Sequence, residues 1–74
     1  MSPAALRIGD RVEIRLESDF WADHGWFPGR IVRVEPYSGH RSFYWVELDR
    51  PVRSAQGQPV VSVSVFNPRN LRKP

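Results

Sequence analysis

The chain contains no cysteine, so neither a disulfide nor a thiolate metal site can reinforce it. Its only imidazoles, His24 and His40, each adjoin a glycine, a context that reads as loop rather than metal ligand. No apolar run approaches the ~20 residues of a membrane span. Met1 to Arg7 lack the apolar stretch of a signal peptide, so the simplest expectation is a cytoplasmic protein without membrane contact. Glycine is scarce and dispersed, which excludes a glycine-rich phosphate loop. There is no internal repeat and no cofactor motif, so no cofactor is expected. Lysine is nearly absent, at one against ten arginines, and no acid follows Asp49.

What is present fits one small domain of 74 residues. A chain of this size buries only about 60% of its unfolded surface, so its core is small and its stability thin. Three Trp, four Phe and two Tyr must supply much of the buried area. The net charge of +3 is unevenly placed. Residues 1–37 hold five Arg and six acids, a balance of −1; residues 38–74 hold six basic residues and two acids, a balance of +4. Arg50, Arg53, Arg69, Arg72 and Lys73 therefore lie in a stretch with no acid to oppose them after Asp49. Such a stretch can attract nucleic acid or an acidic peptide, or can simply keep a small domain in solution.

Met1 to Ala5 reads as a frayed arm, and residues 8–74 as the domain, with 1–7 leading into it. Ile8-Gly9-Asp10 is a turn that launches a strand over 11–16. There Val12, Ile14 and Leu16 share one face, and Arg11, Glu13 and Arg15 the other. That period-two alternation is the pattern of an antiparallel strand with one wet face. Residues 17–25 form a loop rich in acids and aromatics. A second strand spans about 26–35, with Phe27, Gly29 and Ile31 on one face; Val34 rejoins that face only through a bulge or strong twist. Gly29 removes a side chain where the strand bends or packs closely. A turn over 36–41 leads to a third strand over 42–49. Tyr44, Val46 and Leu48 lie on its core face and Phe43, Trp45 and Glu47 on the other. Residues 50–59 read as a long polar loop and 60–66 as a fourth strand with Val61, Val63 and Val65 inward. A tight helical turn over 67–70 and a short last strand at 71–73 complete the chain. Five short strands and no long helix predict an all-β fold. Closure of the sheet would hide most edge groups. The predicted core is Val12, Ile14, Phe27, Ile31, Val34, Val46, Leu48, Val61, Val63 and Val65.

Three segments carry a family resemblance: Gly9-Asp10-Arg11-Val12, Gly25-Trp26-Phe27-Pro28-Gly29 with Ile31, and Tyr44-Trp45-Val46-Glu47-Leu48-Asp49. With the closing Asn70-Leu71-Arg72 they resemble the Agenet and Tudor-like domains. The resemblance covers roughly residues 8–74 and implies a small five-stranded antiparallel SH3-like (Tudor-like) barrel. It also implies a binding module, whose cage of aromatics in that family attracts methylated lysine or arginine by cation–π contact. By position Trp26 would be the first wall, with Trp21, Tyr37 and Trp45 as candidates for the rest. After the third strand the chain reads Asp49-Arg50-Pro51-Val52, where Tudor cages often draw on an aromatic turn, and Arg50 would repel a cation. The alternative is that these aromatics cap the ends of the barrel.

The opening Gly9-Asp10-Arg11-Val12 and the run from Val63 to Leu71 also resemble the plasmid-borne type II dihydrofolate reductase, a tetramer with a pore lined by Val-Gln-Ile-Tyr. Here the matching positions are Val63-Ser64-Val65-Phe66, so the amide and hydroxyl that hold the ligands are missing. The implied relation is one of fold, not of activity. Asp19, Asp23 and His24 lie close in sequence, but nothing places a nucleophile beside them, and no catalytic residue is assigned. Small barrels of this type also bind nucleic acid, as the KOW group does. In that reading Arg41, Arg50, Arg53, Arg69 and Arg72 would meet phosphate, while Phe43, Trp45 and Phe66 would offer stacking platforms. The expectation is therefore a non-enzymatic module for a protein or peptide partner, with nucleic acid as the alternative ligand and an oligomeric reductase a distant third. The oligomeric state is not readable from the sequence.

Overall fold

In a computed structural model, residues 6–36, 39 and 42–74 are described. They form five antiparallel strands: β1 (Arg11–Leu16), β2 (Gly25–Pro36), β3 (Ser42–Arg53), β4 (Pro59–Val65) and β5 (Leu71–Arg72). A single 3-10 turn, Pro68–Asn70, joins β4 to β5. The sheet order is β4-β3-β2-β1-β5. The all-β class and the five antiparallel strands are as the alternation predicts. Closure is not: β4 and β5 do not pair, so the hydrogen-bonded sheet is open, with these two strands as its edges.

The register sorts every side chain by face. Across β5, β1 and β2 the inward row is Leu71, Ile14 and Phe27. The next is Val12, Gly29 and Leu48, and a third is Ile31, Val46 and Val63. Val12, Ile14, Leu16, Ile31, Val46, Leu48, Val52, Val65 and Leu71 are buried, with Leu6, Trp21, Phe27, Val34, Tyr44, Val60 and Val63 packed against them. Gly29 is required in its row. A Cβ there would lie 2.6 Å from the Glu47 carbonyl oxygen and 2.7 Å from Val46 Cγ1. The bulge that Val34 demanded falls between Ile31 and Arg33, so that Val32 and Arg33 both stay exposed and Val34 returns to the core face.

Two expectations need correction. β3 does not stop at Asp49 but continues to Arg53, because Val52 returns to the core and pairs with Val60. The connection shrinks to Ser54–Gln58, where the Gly57 N–H donates to the Ser54 carbonyl at 2.8 Å and Gly57 adopts φ 84°. Val61 is the second. It is 47% exposed rather than core. The β3–β4 ladder breaks between Glu47 and Val52, so residues 48–51 of β3 oppose Val61 alone and leave it uncovered.

Long-range hydrogen bonds tie the loops down. The Gly9 N–H donates to the Ile31 carbonyl at 2.7 Å, fixing the turn before β1 against β2. The loop after β1 docks on the end of β3. Ala22 N–H donates to the Arg53 carbonyl at 2.9 Å, Ala55 N–H to the Phe20 carbonyl at 2.7 Å, and Arg53 N–H to Asp23 Oδ2 at 2.8 Å.

Candidate functional site

The β2–β3 ladder begins at Gly29 and Leu48. Below that pair the strands part: Gly25–Pro28 stay with β1, while β3 runs on toward β4. The fork between them is a groove of about 470 Å³ lined by Phe27, Pro28, Asp49, Arg50, Pro51 and Val52. Its size is in the range of small-ligand and side-chain pockets. Both walls carry a proline. Proline has no N–H to leave unpaired, which suits strand segments that have lost a partner.

Charge gathers at the rim. Arg11 grips Asp49 with both terminal nitrogens, through Nη1–Oδ1 at 2.8 Å and a shorter Nη2–Oδ2 contact. Hydrogen bonding from Arg11 holds the Asp49 carboxyl below the usual carboxylate range. The charges of Arg11, Arg30 and Arg50 add to the effect, against some loss of hydration. The Arg11 guanidinium is pushed up by the same pair. Asp49 pairs with Arg11, and Arg30 and Arg50 make no ion pair among the described residues.

The remaining predicted residues are dispersed. Trp26 lies on the outer face of β2 opposite Arg15. The Arg72 guanidinium sits 3.8 Å from its ring centroid, and Arg15 flanks it at 5.9 Å. Arg72 is held there by Glu13 Oε1 at 2.7 Å. A cation–π place on the Trp26 ring is therefore taken by the chain's own Arg72. Trp45 lies on the outer face opposite Arg33, seven residues along β2 from Trp26. At ~3.3 Å per residue the two indoles are roughly 20 Å apart. Trp21 packs against the core, meets Phe20 edge-on at 4.8 Å and bridges to Ser54. Trp21, Trp26 and Trp45 are not brought together as one cage. The Trp45 indole N–H is buried without an acceptor among the described residues. Phe43 and Phe66 meet in a tilted contact with ring centroids 4.9 Å apart, and both are half-buried.

Among the basic residues, Arg53 approaches Asp23 at 3.9 Å and Arg72 binds Glu13, so neither is unopposed in space as both are in sequence. Arg69 stands exposed in the 3-10 turn, where its N–H donates to the capping Asn67 Oδ1 at 3.0 Å. Tyr37, Arg41 and His40 lie outside the described residues. Asp23 and His24 are engaged locally: Asp23 accepts from the Arg53 N–H, and His24 Nε2 lies 3.2 Å from the Ser18 carbonyl. No group of three or more metal-ligating side chains occurs among the described residues, and no helix among them is long and apolar enough to cross a membrane.

The fork groove is not legible in the sequence, because Pro28 reads as part of the second strand while Pro51 and Val52 read as part of the loop over 50–59. Comparison with family models, curated proteins and solved structures finds no match at the significance required.

Proposed function

We propose that the chain is a non-enzymatic binding module, a small Agenet- or Tudor-like barrel in type, that receives an extended segment of a protein partner in the fork between β2 and β3. The groove carries this reading: apolar walls of Phe27, Pro28, Pro51 and Val52 stand beside a rim with more arginine than carboxylate. Such a groove suits an apolar side chain followed by an acidic one. The apolar group loses water against the walls, and its neighbour's carboxylate meets Arg50. A partner of that kind is also what the positive balance of residues 38–74 favours.

Nucleic acid is the second reading, supported by the exposed Arg50 and Arg69. The engagement of Arg53 and Arg72 by carboxylates reduces the cations left for phosphate, which is why the peptide comes first. Two-dimensional NMR of labelled protein, titrated with acidic-apolar peptides and with single-stranded and duplex oligonucleotides, separates the two. Peptide binding is expected to shift Phe27, Arg50 and Val52, and Arg50→Glu to weaken it about tenfold. Shifts centred on Arg69 and Trp45 with oligonucleotide, with a log–log salt slope of roughly −3, would transfer the function to nucleic acid. Absence of any shift at low salt would reject both.

A further inference from the structure

Among the described residues, β4 is the longer of the two outer strands of the sheet. β3 pairs along one side of it, and no strand of the described residues pairs along the other. The opposite edge, β5, is two residues long. Open edges recruit other strands through their free N–H and C=O groups, and proteins usually guard them with charge or internal proline. β4 has neither. Its proline is the first residue, and no residue between Arg53 and Arg69 carries a charge. Beyond Pro59 it reads Val60-Val61-Ser62-Val63-Ser64-Val65, and Val61 is left uncovered within the single chain.

We propose that β4 pairs antiparallel with β4 of a second copy of this chain, about a two-fold axis at Val63, to give one continuous sheet of twice five strands. Register restricts the arrangement, and the register centred on Val63 sets the uncovered Val61 against the buried Val65 of the second copy. Antiparallel partners share a face, so a slip of one residue sets valine against serine and core face against outer face. Centred on Val63, Val61 meets Val65 of the second copy and Ser62 meets Ser64 of the second copy. Valine pairs then lie on one face and serine hydroxyls within reach of one another on the other. Two chains of net charge +3 approach along a segment that contributes none of it. An interface made by the same strand twice is closed at two chains. A seven-residue edge buries less than the ~1,200 Å² of the smaller stable interfaces, so the dimer is weak, with a dissociation constant on the order of 100 µM.

Sedimentation equilibrium from about 10 µM to about 1 mM, a range set by that affinity, is expected to show mass rising from one chain to two and no further. Val61→Lys, at an exposed position, should keep the circular dichroism spectrum and remain monomeric throughout. Because the chain has no cysteine, Val63→Cys offers a single thiol at the two-fold axis. It should oxidise to a disulfide-linked dimer at least tenfold faster than Ser18→Cys in the loop after β1. A monomer at every concentration overturns the proposal. So does equal dimerisation of wild type and Val61→Lys, equal cross-linking of the two cysteine variants, or growth beyond two chains.

Discussion

At the scale of single residues, two positions show how geometry sets chemistry. Gly29 has an ordinary backbone conformation, so its need for glycine comes wholly from the approach of β3. Gly29→Ala must push backbone at Glu47 as well as the Val46 side chain, and a loss of about 1–3 kcal/mol is expected in urea unfolding. An unchanged midpoint would mean that the strands part freely there. Asp49 is the other. Its carboxyl is held low mainly by Arg11, and a depressed folded-state pKa stabilises the fold above the ordinary carboxylate value. That contribution is lost as the pH falls from the ordinary value of 3.8 through the lower folded-state value. Carbon-detected NMR titration should find Asp49 below the ordinary aspartate range in the wild type and moved back toward it in Arg11→Ala. A carboxyl unmoved by that substitution would mean the pair is not formed in solution.

At the scale of elements, the loop after β1 behaves as an annexe of β3. Asp23 accepts from the Arg53 N–H, and backbone bonds from Ala22 and Ala55 flank that contact. Asp23→Ala is expected to cost about 1 kcal/mol and to speed amide exchange at Arg53 and Ala55 while leaving Ile14 and Val46 protected. Uniform loss of protection would show that the loop and sheet open together. Local alternation made β1 fully legible, since Val12, Ile14 and Leu16 need no distant information to choose a face. The β2 bulge was legible as well, because Val32 breaks the period between Ile31 and Val34. The end of β3 was not. Arg50-Pro51 reads as a break, yet a proline is tolerated where a strand has no neighbour on one side, and that vacancy is created by the fork. Nor could sequence pair Arg72 with Glu13 or Arg53 with Asp23, contacts that depend on strand order rather than on nearby residues. The outward placing of Phe43 and Trp45 followed from alternation, whereas the roughly 20 Å between Trp26 and Trp45 required the register.

At the scale of the whole molecule, the open sheet and the small core set the limits. Ser64 and Phe66 occupy the positions where the resembling reductase carries its amide and hydroxyl. Steady-state assay with dihydrofolate and reduced nicotinamide cofactor is expected to give the background rate; turnover above buffer would reject the non-enzymatic reading. Stability is the sharper question, since one layer of aliphatic side chains holds five strands together. Ile14 is at its centre: wholly buried, opposite Phe27 on β2 and opposite Leu71 on β5. Its removal therefore weakens both ladders of β1 at once. β5 pairs with β1 over only two residues, so its hold on the sheet weakens once Leu71 loses its neighbour. Ile14→Ala should cost about 2–5 kcal/mol, comparable with the roughly 5 kcal/mol total expected of so small a domain. The far-UV spectrum at 25 °C should then show a largely unfolded chain, whereas Val61→Ala, at an uncovered position, should stay within about 0.5 kcal/mol of wild type. If Ile14→Ala unfolds at the wild-type urea midpoint, β1 is not the hub that its two ladders make it.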